Sequence, residues 1–134
     1  MLFRSDLDTT MPGCALYDFG DMVRTSTANA AEDEKDLSKV FSRKDYFTEL
    51  VGGYLSKAKF LNDAELANLA FSGRLITLTI GIRFLTDYLA GDTYFHTAYD
   101  DHNLVRCRTQ LKMVKSMEEQ AAEYEAIVRA AAAK

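Results

Sequence analysis

The hydrophobic pattern is arranged around one stretch, Gly73 to Tyr94, which reads GRLITLTIGIRFLTDYLAGDTY. Leu75, Leu78, Ile82, Leu85 and Leu89 recur on one helical face, and Ile76, Ile80, Phe84 and Tyr88 recur on the neighbouring one. A helix apolar over so much of its circumference is predicted to be covered on most sides, as the central helix of a core. Arg83 and Asp87 lie four residues apart on this helix. Unpaired charges are costly inside, so they either form an ion pair or border a wet cavity.

The remaining pattern is also helical. Cys14 to about Thr25 places Leu16, Phe19, Met22 and Val23 on one side. The polar run TSTANAAEDEKDLSK has no apolar period and reads as a connection. Ser42 with Asp45 resembles a capping box opening a helix through Tyr46, Phe47, Leu50, Val51, Tyr54 and Leu55, weakened by Gly52-Gly53. Asn62 with Glu65 is a cleaner box. The helix it opens either runs on into the central one or breaks near Ser72-Gly73. Gly91 suits a helix stop. A loop from Asp92 to Asp101 follows, then a final helix from about His102 to Val128 with Leu104, Leu111, Val114, Met117 and Ala121 on one side. The only candidate strand is Leu2 to Leu7, before the turn signal Met11-Pro12-Gly13. The expected class is all-α, in one domain spanning 1–134.

Composition narrows the function classes. The 134 residues are 48% hydrophobic and 27% charged, which describes a globular chain long enough for a real core. A formal net charge of −4 argues against nucleic-acid partners. No uninterrupted apolar run approaches about 18 residues, and Met1-Leu2-Phe3-Arg4 lacks the form of a signal peptide. The expectation is therefore a cytoplasmic protein without a membrane partner. Cys14 and Cys107 have no zinc spacing and read as reduced thiols, with a disulfide between them left open.

Candidate chemistry is sparse. Asp6 and Asp8 could point at a hard cation such as magnesium, although the spacing by itself reads as a solvated acidic turn. Asp18-Phe19-Gly20 spells the magnesium triplet of protein kinases, but it lies inside a predicted helix instead of opening a loop, and is taken as coincidence. His96 and His102 read as surface or hydrogen-bonded histidines, and Glu32-Asp33-Glu34 with Asp36 as a solvated face. Tyr94 and Phe95 could stack on a sugar or base, or simply pack. No Gly-rich phosphate loop, Ser–His–Asp set, HExxH or kinase catalytic loop is present.

Taken together, DLDTTMPGCALYDFGDMVRTSTANAAEDEKDLSKV and TLTIGIRFLTDYLAGDTYFHTAYDDHNLVRCRTQLKMVKSMEE resemble the C-terminal part of the aminoglycoside phosphotransferase/choline kinase superfamily. The nearest likeness is to the bacterial N-acetylhexosamine 1-kinase branch, and it runs from Asp6 to about Glu119. The resemblance implies the helical C-terminal subdomain of a protein-kinase-like fold, with at most a short N-terminal strand. It implies Asp6, assisted by Asp8, as the magnesium ligand, Asp18 as a brace for the catalytic loop, and Arg83 with Tyr94 as sugar contacts. Magnesium and ATP are implied for the intact family member, not for this chain alone.

The departures are as informative. The family's nucleotide lobe, its phosphate-contacting Lys and its catalytic base with the metal-binding Asn precede the position of Asp6, and Phe3-Arg4-Ser5 stands where an apolar strand is expected. Positioning and charge neutralisation are most of phosphoryl transfer, so no kinase activity is expected from these residues alone. The resemblance thus implies a C-terminal kinase fragment acting in aminosugar salvage, which self-associates through the face the missing lobe would cover. The alternatives are a non-catalytic helical oligomerisation or partner-binding module, and a half that rejoins a separately encoded lobe.

Overall fold

A computed structural model describes residues 12–133, and five helices run through them. These are α1 (Ala15–Ser26), α2 (Lys44–Lys57), α3 (Asp63–Leu89), α4 (His102–Glu119) and α5 (Ala121–Ala132), with one 3-10 turn at Leu37–Lys39. The fold class is all-α. Among the described residues the sole β-type pairing is an isolated bridge between Ala28 and Ser42. The candidate strand Leu2–Leu7 lies outside the described residues.

Local chemistry explains most boundaries. The Asn62 side chain accepts from the Glu65 amide at 2.9 Å, and the Glu65 carboxylate accepts from the Asn62 amide at 2.9 Å, closing the capping box that opens α3. No break occurs near Gly73, and α3 runs unbroken for 27 residues, about 40 Å. Gly91, with φ +89°, ends it in the left-handed conformation that glycine adopts without a Cβ penalty.

Two boundaries differ from expectation. Ser42 does not cap α2; its N-cap is Arg43, without a side-chain cap bond. The Ser42 hydroxyl is instead buried, sharing hydrogen bonds with Thr27 at 2.8 Å and Tyr124 at 2.7 Å. The Ser42 amide donates to the Ser116 hydroxyl at 3.0 Å. Nor is the last helix continuous: it leaves helical geometry at Gln120, with φ −103° and ψ 7°. Glu118, Glu119, Gln120 and Ala121 are all good helix formers, so the break comes from tertiary structure. The Gln120 side-chain Nε2 donates to the Ser42 carbonyl at 3.0 Å, and the turn brings Tyr124 into a stack on Phe47 with ring centroids 3.9 Å apart. Leu111, expected on the core face of α4, is exposed, while Met113, Val114 and Met117 are buried.

The largest correction concerns α3. The residues it buries are Leu69, Ser72, Gly73, Thr77, Gly81, Phe84 and Asp87, a mostly small and polar set. Of the expected apolar faces Phe84 is buried, whereas Leu75, Ile82 and Leu89 are exposed and the others lie between. The helix is therefore covered on one side and not on most sides. The reason is close approach of its neighbours. A Cβ on Gly20 of α1 would stand 2.6 Å from the Ser72 carbonyl oxygen, and one on Gly73 would stand 2.5 Å from Val23 Cγ1. On the α4 side a Cβ on Gly81 would reach Gln110 Cβ at 3.1 Å. Thr77 needs no external partner, because its hydroxyl donates to the Gly73 carbonyl at 2.7 Å. Backbones packed this tightly gain dispersion contact that a leucine face could not reach.

The core proper gathers Phe19 and Val23 of α1, Phe47 and Val51 of α2, Leu69 of α3, Met113 and Met117 of α4, and Tyr124 and Val128 of α5. By length and composition α3 is apolar enough to cross a membrane, a property that uninterrupted runs do not reveal, with 33% of its most apolar window buried. The core helix of a water-soluble domain meets the same description. It is the one such helix among the described residues.

Two glycine substitutions should part company in urea denaturation. Gly20→Ala forces a methyl against the α3 backbone and is expected to cost about 1–3 kcal/mol. Gly52→Ala lies in mid-α2, where a Cβ meets nothing within 4 Å, and should stabilise by about 0.5–1 kcal/mol.

Candidate functional site

An acid near a helix C-terminus faces the negative end of the helix dipole and is disfavoured there unless something compensates it. Asp87, two residues before the end of α3 and 5% exposed, is compensated by the loop that follows. Its Oδ1 accepts from the amides of Thr93 at 3.0 Å and Tyr94 at 2.8 Å. Its Oδ2 accepts from the Phe95 amide at 2.9 Å and the Asn103 side chain at 2.9 Å. The Phe95 amide foremost, and then those of Tyr94 and Thr93 and the Asn103 side chain, hold this carboxyl below the usual range, against burial, which pushes it up. Asn103 also donates to Asp92 Oδ1 at 2.8 Å, so the loop is pinned to both α3 and α4.

The pinned loop sets two aromatic rings beside Arg83. The Tyr94 and Phe95 rings meet edge-on with centroids 4.8 Å apart, and Phe95 leans on the buried Phe84 at 4.8 Å. The Arg83 guanidinium carbon lies 5.6 Å from the Tyr94 centroid and 5.4 Å from that of Phe95. Arg83 Nη2 donates to the Tyr94 hydroxyl at 3.4 Å, the long end of the hydrogen-bond range. Arg83, Thr86, Asp87, Ala90, Tyr94 and Phe95 line a hollow of about 360 Å³.

Of the two readings of the Arg83–Asp87 spacing, the geometry selects the cavity. The carboxylate is taken up by the loop amides, and among the described residues Arg83 has no acidic partner. The expected substrate pair, Arg83 and Tyr94, does share one hollow, with Tyr94 73% exposed. Asp6 and Asp8, the expected metal ligands, lie outside the described residues. Among the described residues no three His, Cys, Asp or Glu side chains converge. Asp18 lies exposed in the first turn of α1, where it complements the helix dipole, without a side-chain hydrogen bond among the described residues.

The acidic run is exposed to half-buried, as its composition suggests, and two of its members also pair across the fold. Glu32 meets Arg24 at 2.9 Å and Arg106 at 3.5 Å, and Asp33 stands 3.4 Å from His102 Nε2. His102 is buried and accepts the Ala98 amide on Nδ1 at 3.1 Å, which leaves Nε2 as the protonated nitrogen facing Asp33. His96 is exposed. Cys14 is exposed, Cys107 is buried, and both are free thiols. Asn103 and Arg106 escape sequence reasoning, because their roles are to hold the loop, Arg106 by donating to the His96 carbonyl at 3.1 Å. The one signal for them was an acid placed where a helix end disfavours it.

Chemically, the hollow offers donors and ring faces but no base. All four hydrogen bonds to Asp87 come from protein groups, which leaves it no lone pair suited to taking a substrate proton. The guanidinium, a phenol and the Thr86 hydroxyl suit an oxygen-rich ligand. No protein-family model matches the chain.

Because its folded value is depressed, Asp87 contributes stability that is complete above its unfolded value, about 3.9, and lost as pH falls through the lower folded one. Asp87→Asn is expected to be less stable than wild type at pH 7, with the gap narrowing as urea denaturation is repeated below about pH 4. Amide exchange at residues 93–95 should quicken in the variant at neutral pH.

Proposed function

We propose that these 134 residues form the C-terminal helical part of an ATP-dependent sugar kinase of the N-acetylhexosamine 1-kinase branch, which holds an aminosugar at the Arg83–Tyr94 hollow. A cytoplasmic role in aminosugar salvage goes with this reading. The observation that carries it is the uncompensated guanidinium beside an exposed aromatic, over a loop held in place by Asp87. Arg can fork onto hydroxyl or phosphate oxygens, and an aromatic face stacks on the apolar face of a pyranose. The hollow supplies orientation without a general base, so the described residues bind and do not turn over. Asp6, with Asp8, would hold magnesium in the intact enzyme, where the metal neutralises phosphate charge.

A second reading is a non-catalytic helical module descended from such a kinase. The feature that favours it is the apolar outer side of α3, with Leu75, Ile82 and Leu89 exposed.

Titration with N-acetylglucosamine, followed by amide NMR, tests the first reading. Shifts confined to residues 83–95 are expected, and Arg83→Ala should weaken binding about 10- to 100-fold, the loss of one or two charge-assisted hydrogen bonds. Absence of shifts at millimolar sugar would sink the sugar-site reading. Mg-ATP with the same sugar should give no sugar phosphate.

A further inference from the structure

His102 is the first residue of α4 and is buried, and each of its ring nitrogens has a neighbour. The Ala98 amide donates to Nδ1 at 3.1 Å, and Nε2 stands 3.4 Å from an oxygen of Asp33. A backbone amide always carries its hydrogen, so Nδ1 can serve Ala98 only while the ring is neutral. The imidazolium carries a hydrogen on both nitrogens. Its Nδ1–H would confront the Ala98 N–H, two donors where one bond had been. Its Nε2–H would face a carboxylate and gain charge assistance. The two neighbours of this ring therefore favour opposite protonation states.

The other charged groups nearby are engaged elsewhere. Lys35, from the connection that also supplies Asp33, lies 4.6 Å over the Tyr99 ring, which stacks on His102 with centroids 4.4 Å apart. The Tyr99 hydroxyl donates to Asp33 at 3.4 Å. Asp101, the residue before His102, accepts the Tyr88 hydroxyl of α3 at 2.8 Å. Arg106, one turn along α4, donates to the His96 carbonyl at 3.1 Å and lies 3.5 Å from Glu32. Among the described residues Asp33 is the acid within ion-pair distance of the imidazole.

From this geometry we infer that His102 is a proton-operated latch on the second half of the loop between α3 and α4. Neutral, it ties Ala98 to α4; protonated, it lets Ala98 go and turns to Asp33. The loop has two separate fastenings. Asp87 holds the amides of residues 93–95. Its carboxyl stays ionised through the range, about pH 5 to 8, in which imidazoles take up a proton. The first half of the loop therefore keeps its place while residues 97–99 are released, between the His96 carbonyl held by Arg106 and the start of α4. The inference does not rest on the sugar-site reading, because Tyr94 and Phe95 belong to the other fastening.

Amide and imidazole NMR of the wild-type chain, from about pH 8 down to about pH 5, tests this. The Ala98 amide should shift with the same midpoint as the His102 ring protons. Its protection against exchange, corrected for the intrinsic rate at each pH, should fall about 5- to 10-fold, the loss of one hydrogen bond. Residues 93–95 should keep theirs. His102→Gln retains an acceptor for Ala98 and a donor for Asp33 but takes up no proton, and should abolish the transition. His96→Gln should leave it intact. A His102 ring that titrates while Ala98 keeps its shift and protection overturns the inference, as does a ring that stays neutral throughout. So does a transition that follows the His96 ring or survives His102→Gln. Loss of protection that spreads over residues 93–95 overturns it too, since the loop then opens as one piece. The wild-type titration decides the matter even where His102→Gln fails to fold.

Discussion

Two helices approach the middle of α3 so closely that its buried residues from Ser72 to Gly81 are glycine, serine and threonine, and the rest of the molecule follows from that contact. Gly20 lies against the Ser72 carbonyl and Val23 against Gly73, while Gln110 covers Gly81. Each added Cβ on the glycines facing α1 would fall below 3.0 Å from a neighbour, a distance side chains do not tolerate. Once this side of α3 is the buried one, the helical period leaves its larger apolar side chains facing outward. The same rotation delivers Phe84 and Asp87 to the interior and Arg83 to the rim.

Asp87 then converts helix geometry into loop geometry. A carboxylate that receives three backbone amides and one side-chain amide can serve neither as ion-pair partner nor as proton acceptor, but it fixes where Tyr94 and Phe95 stand. Arg83, deprived of the acid four residues along its own helix, lies beside those rings. The hollow is thus a by-product of satisfying a helix terminus. Its lining presents a guanidinium, hydroxyls and ring faces.

At the opposite end of the bundle a polar network has a comparable part. Ser42 lies between Thr27, Ser116 and Tyr124, tying the start of α2 to both halves of the bent C-terminal helix. Its members are buried and bonded to one another, so they specify how the helices meet at little desolvation cost.

The all-α class was legible in the sequence, as were the helix at Ala15–Ser26, the capping box at Asn62 and Glu65, the stop at Gly91 and the loop after it, because propensity, capping and turn chemistry act over a few neighbouring residues. Arg83 stood out for a similar reason: a charge on an apolar helix demands an account. Only the tertiary structure decided which side of α3 is inside, why Ser42 is not a cap, where the last helix bends and what Asp87 holds. Hydrophobic periodicity measures what a side chain gains by leaving water. Close helix packing is set by the shape of the neighbour, and that neighbour lies some 50 residues away for Gly20 and Ser72 and about 30 for Gly81 and Gln110, beyond the reach of any local pattern.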